Sequence, residues 1–121
     1  MSTKPVTLSG YFKRGSTWQI KVTRKDSTDT VVDMTGLTTR AMFREGGVDE
    51  TVIVTLDETA GITIADPTNG EIEMEVSATQ SALFSPGAKV FFDIEQVNDF
   101  TGHVWQSQTY KFSVVQEVTR D

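Results

Sequence analysis

The middle of this chain changes the side it shows to water at every residue, and that restricts it to sheet architectures. Ile62 and Ile64 alternate with polar neighbours, and Ile72, Met74 and Val76 alternate with Glu71, Glu73 and Glu75. Successive side chains on a strand point to opposite faces, so each run can bury one face and wet the other. Between the runs, Asp66-Pro67-Thr68-Asn69-Gly70 has turn composition, and the unit reads as a β-hairpin. Ser77 and Gln80 stand at the spacing at which each satisfies the other's backbone donor, so a short helical turn is expected near residues 78–84. Pro86-Gly87 stops that turn. Val90, Phe92 and Ile94 then alternate with Phe91, Asp93 and Glu95 as a further strand.

The remaining segments repeat the theme. Trp18, Ile20 and Val22 alternate with Gln19, Lys21 and Thr23, and residues 24–30 form a polar turn. Residues 37–43 place Thr39, Ala41 and Phe43 on one face before Glu45-Gly46-Gly47 breaks the strand, and Val52, Val54 and Leu56 mark the next. Asn98-Asp99-Phe100-Thr101-Gly102 reverses the chain into a long last strand carrying Val104, Tyr110, Phe112 and Val114. About seven or eight short strands with turn signals every eight to twelve residues indicate an all-β, immunoglobulin-like two-sheet β-sandwich. Residues 15–121 are expected to form this single domain. Residues 1–14 read either as a first strand or as an arm reaching a neighbouring subunit.

At 121 residues the chain is long enough to bury roughly two-thirds of its unfolded surface. Cysteine is absent and His103 is the single histidine, which removes disulfides, thiolate sites and most zinc arrangements. Neither a signal-peptide core nor a membrane-length apolar run is present, so synthesis in a cytoplasm and no membrane partner are expected. Up to Arg44, eight Lys or Arg stand against three Asp, a net +5, and from Glu45 onward three bases stand against fourteen acids, a net −11. The asymmetry suggests head-to-tail docking of copies, a basic edge against an acidic one, beside the plainer reading of two solvated faces.

Signals for chemistry are sparse. Glu71, Glu73 and Glu75 share one face of a strand, as a solvated row, a surface for a basic partner or, least favoured on a flat strand, a hard-cation site. The adjacent acids Asp49-Glu50 and Asp57-Glu58 lie in turns and do not oppose each other across a cleft as hydrolysis requires. His103 follows Gly102 at a hairpin tip without a nucleophile partner set, and no glycine-rich phosphate loop is present. An enzyme is not expected, nor is any cofactor or metal. Trp18 fits the core pattern, whereas Trp105 has the better claim to an exposed or interfacial role and, with Tyr11 and Tyr110, to a sugar-stacking platform. Net acidity opposes nucleic-acid binding.

Four pieces of the chain also form a recognisable order. They are Asp33-Met34-Thr35-Gly36, the hairpin of residues 61–70, the unit of residues 77–95 with its Pro-Gly and Phe-Asp-Ile-Glu, and the closing Val118-Thr119-Arg120. This order resembles a family of small phage virion proteins that includes the N-terminal domain of baseplate upper proteins, across most of residues 17–120. The resemblance implies a non-enzymatic virion component made in the host cytoplasm. It would be a docking or adaptor module of the tail, baseplate or connector, present as symmetric copies against other virion proteins. A capsid decoration protein and a glycan-binding receptor module are the alternatives. The interface candidates are Lys4, Tyr11, Phe12, Lys13 and Arg14 in the first segment, Glu71, Glu73 and Glu75 in the acidic row, Trp105, and Arg120 at the close.

Overall fold

The computed structural model describes residues 6–8, 12–47 and 50–115. Ten short strands, one α-helical turn and one 3-10 turn are formed among them: β1 Val6–Thr7, β2 Phe12–Lys13, β3 Trp18–Thr23, β4 Leu37–Glu45, β5 Val52–Asp57, β6 Ile62–Thr63, the 3-10 turn Pro67–Asn69, β7 Glu71–Val76, α1 Ala78–Ser81, β8 Lys89–Asn98, β9 Val104–Gln106 and β10 Tyr110–Val115. One sheet runs β1-β10-β8-β4-β5, with β2 also on β10 and β9 on β8, and the other runs β3-β7-β6. A sheet ordered β10-β8-β4-β5 facing one ordered β3-β7-β6 is the connectivity of an immunoglobulin-like sandwich. The fold is therefore the one the alternation pattern predicts.

Alternation decides which side chains meet between the sheets. Trp18 and Ile20 from β3 and Ile72, Met74 and Val76 from β7 face Ala41 and Phe43 from β4 and Val90, Phe92 and Ile94 from β8, all buried. With no disulfide to cross between the sheets, aromatic contacts fill the centre. Phe92 stacks on Phe43 at 4.7 Å between ring centroids and on Tyr110 at 5.0 Å, and Trp18 stacks on Phe84 at 5.5 Å. Burying such rings contributes more than any other residue class to a core of this size.

The capping box forms as expected. Ser77 Oγ accepts from Gln80 N at 3.1 Å and Gln80 Oε1 accepts from Ser77 N at 3.0 Å. Leu83 N and Phe84 N extend the turn by donating to Gln80 and Ser81 carbonyls, which delivers Phe84 onto Trp18.

Two details differ from the sequence reading. The last strand is broken. Two residues of β8, Asp93 and Ile94, oppose three, Ser107, Gln108 and Thr109, between the Phe92–Tyr110 and Glu95–Gln106 pairs. Ser107 fills the gap, its N–H donating to Ile94 O at 2.8 Å and its Oγ accepting from Ile94 N at 2.9 Å. This is a β-bulge closed by a side chain. The second difference concerns charge. Lys21 Nζ lies 3.6 Å from Glu71 and 3.9 Å from Glu73, and Arg40 Nε lies 2.7 Å from Glu95. Sandwich pairing interleaves the basic and acidic halves of the sequence, so part of the charge expected to meet between copies is neutralised within one.

Candidate functional site

The β8–β9 reversal is an exposed turn held by hydrogen bonds from within and from β4. Asn98 N donates to His103 O and Gly102 N donates to Asn98 O, each at 2.8 Å, closing a five-residue hairpin end. Asn98 Oδ1 accepts from both Phe100 N and Thr101 N, at 2.9 and 3.0 Å, a local arrangement that asparagine makes readily. A second tie comes from the β4 side, where Asp99 N donates to Gly36 O at 2.9 Å and Asp99 Oδ1 accepts from Thr38 Oγ1 at 2.6 Å. Gly102 adopts φ +76°, the left-handed conformation that ends such turns at low cost on glycine.

This frame presents Phe100 with 89% of its surface in water. Val104, 58% exposed, follows on the outer face of the large sheet directly opposite half-buried Val97. Further along the same face, Arg40 and Glu95 form their ion pair, with Gln106 Nε2 donating to Glu95 Oε2 at 3.3 Å. The hydrogen bond from Arg40 holds the Glu95 carboxyl below its ordinary range.

The expected interface residues are scattered. Phe12 is 8% exposed and packs against Phe112 at 4.1 Å and Trp18 at 5.9 Å, so it is a core residue and not a surface aromatic. The segment that carries it pairs in parallel with β10, which supplies the apolar face an alternating Phe-Lys pair needs. Lys13 is exposed, and its carbonyl accepts from Trp18 Nε1 at 2.8 Å. Arg14 Nε donates to Phe84 O at 2.8 Å and so helps seat the helical turn. Glu71, Glu73 and Glu75 lie on the outer face of the small sheet as expected, and Glu73 and Glu75 border a shallow depression shared with Gln19, Lys21 and Thr63. Lys4, Tyr11 and Arg120 lie outside the described residues.

Trp105 is half-buried, with the Arg24 guanidinium 3.9 Å above its ring. Arg24 Nη1 donates to buried Gln96 Oε1 at 2.7 Å, and Gln96 Nε2 donates to buried Thr39 Oγ1 at 2.9 Å. Phe100, Arg24 and Gln96 were missed as notable from sequence. Phe100 and Arg24 stand in turns, where composition says nothing of burial, although the phase of Val90, Phe92 and Ile94 does place Gln96 inward.

Among the described residues no three His, Asp or Glu side chains converge as metal ligands. The lowered carboxyls Asp26, Asp33, Asp57 and Asp66 each accept from the hydroxyl and N–H of a threonine two residues on, which is turn chemistry.

No protein-family model matches the sequence, and no curated protein matches it. Among solved structures the chain is similar to the NK cell receptor Nkp44, described as a triggering partner in natural cytotoxicity. The two share 13% sequence identity at a TM-score of 0.47, over 95% of this chain and 100% of that one.

Proposed function

We propose that this chain is a non-enzymatic structural component of a bacteriophage particle, a docking module of the tail, baseplate or connector that sits in symmetric copies against other virion proteins. The sequence resemblance supplies the particle. The observation that supports docking is Phe100, an aromatic side chain left in water on a turn braced from two sides. Aromatic anchors presented by rigid frames are the residues that contribute most at interfaces, because little ordering cost remains when they enter a pocket. The adjoining Val104–Val97 stripe would extend the contact, and the Arg40–Glu95 pair would lie at its rim.

Particles purified from the encoding phage should contain the chain in a fixed copy number at one location, visible by electron microscopy. Phe100→Ser should leave the melting temperature unchanged, since the side chain is exposed, and should reduce incorporation at least about tenfold. Particles without the chain would overturn the virion reading. Full incorporation of Phe100→Ser would overturn the anchor, and density on the capsid lattice would assign the chain to decoration of the head.

A further inference from the structure

Charge and exposed apolar surface both divide between the two ends of the sandwich. β8 runs from one end to the other, from Lys89 to Asn98, so the ends stand roughly 30 Å apart. The β8–β9 reversal, the β3–β4 connection and the 3-10 turn share one end, since Asp99 N donates to Gly36 O, Met34 N to Pro67 O and Arg24 N to Gly70 O. That end is acidic. It exposes Asp26, Asp29, Asp33, Asp66 and Asp99, against which stand Lys25, itself 3.5 Å from Asp29, and half-buried Arg24. Phe100 projects from it.

The β2–β3 turn, the close of β4 and the segment from α1 to β8 meet at the other end. There Gly15 N donates to Ser81 Oγ, Ser85 N to Glu45 Oε1 and Gly46 N to Lys89 O. The balance here is basic. Lys13, Arg14, Arg44 and Lys89 stand against Glu45 and Glu50, and none of these cations has a carboxylate within ion-pair distance among the described residues. Leu83, just past α1, is 60% exposed. Arg14 links its neighbour Phe84 to exposed Val115, its Nε donating to Phe84 O and its backbone N–H to Val115 O.

Like ends repel at short range and unlike ends attract, so charge selects the pairing of an acidic end with a basic one. The net charge of −6 does not decide against it, because charges more than about 8 Å from the contact are largely screened at physiological salt. Such a contact also takes out of water the most exposed large apolar side chain at each end, Phe100 and Leu83.

We propose that copies of this chain dock end to end, the Phe100 end of one against the Leu83 end of the next. The inference rests on Phe100 as the anchor of the docking role and names its partner. Because the two copies use different surfaces, the contact repeats, building a ring if the rotation closes and a filament if it does not.

The test is sedimentation velocity of the purified full chain over a concentration series, at ~20 mM and ~500 mM salt. Wild type should associate with a Kd of about 100 μM at low salt, as a small transient contact does, and at least about tenfold more weakly at high salt. Phe100→Ser and Leu83→Glu change exposed side chains and should keep the wild-type melting temperature. Each should be monomeric alone, since each lacks one half of the contact. Mixed, they should form one-to-one heterodimers and nothing larger, because one keeps its Leu83 end and the other its Phe100 end. The proposal is overturned by a wild-type monomer up to about 1 mM chain at low salt, or by association that salt does not weaken. Dimers of Leu83→Glu alone would overturn it as well, since Phe100 ends would then meet each other, and so would a mixture that stays monomeric. Incorporation of Phe100→Ser into particles decides the virion docking role separately.

Discussion

Arg24, just beyond the end of β3, and Gln96, on β8 of the opposite sheet, meet at 2.7 Å between Nη1 and Oε1. Gln96 passes the connection on to Thr39 of β4, so three segments are tied by one buried amide. Removing a single partner from such a chain leaves the others unpaired, which costs more than the bond itself contributes. Gln96→Leu should therefore destabilise the fold by about 1–3 kcal/mol in denaturant unfolding. Adding Thr39→Val should recover part of that loss, because it removes the stranded hydroxyl. Strict additivity of the two changes would show that the network does not couple them.

Phe92 lies at the centre of the ring cluster, against Phe43, Tyr110 and Phe112. Truncation to alanine leaves a cavity that three rings in fixed strands cannot collapse into. Phe92→Ala is expected to cost about 3–5 kcal/mol, measured by equilibrium unfolding. Phe100→Ala, by contrast, should stay within about 0.5 kcal/mol of wild type.

Gly70 and Gly102 share similar backbone angles, φ +68° and +76°, but not surroundings. A Cβ on Gly70 would lie 2.9 Å from Arg24 O and 3.2 Å from Val32 O, both backbone atoms that cannot step aside, whereas a Cβ on Gly102 meets nothing within 4 Å. Gly102→Ala should cost about 1 kcal/mol for the left-handed conformation alone. Gly70→Ala should cost a further 1–3 kcal/mol or so for overpacking. Melting curves of the two variants measure the difference.

Acid should weaken the fold at its turns. Asp26, Asp33, Asp57 and Asp66 are held below the ordinary carboxylate range, chiefly by threonine hydroxyls, and Glu95 chiefly by its hydrogen bond from Arg40. A folded-state pKa below the unfolded one means that the stabilisation is fully present only above about pH 5, clear of the unfolded values, and is lost as pH falls through the folded ones. The melting temperature should be nearly constant between about pH 5 and 7 and fall below about pH 4. Asp33→Asn, which keeps an accepting oxygen but does not titrate, should make the acid limb shallower. An unchanged limb would mean that the Asp33 turn is not maintained by its charge.

Much of this molecule was legible before folding, and the reasons are local. The faces of β3, β4, β5, β7 and β8 follow from period two, and the Ser77–Gln80 box follows from spacing alone. The four Asp-x-Thr triplets at residues 26–28, 33–35, 57–59 and 66–68 were open to the same reading, since each bond closes within three residues. Phe12 was not, because its burial depends on β10, about a hundred residues away in the chain, arriving alongside it.

The strand faces, the turns and the two-sheet class thus follow from interactions between near neighbours and from which side of each strand shuns water. Packing of distant segments is what sets Lys21 against Glu71 and Glu73 and Arg40 against Glu95, brings Arg24 across to Gln96 and over Trp105, and leaves Phe100 in water. Those outcomes depend on which distant segments are brought within a few ångströms of one another, and alternation along a strand carries no information about its partner.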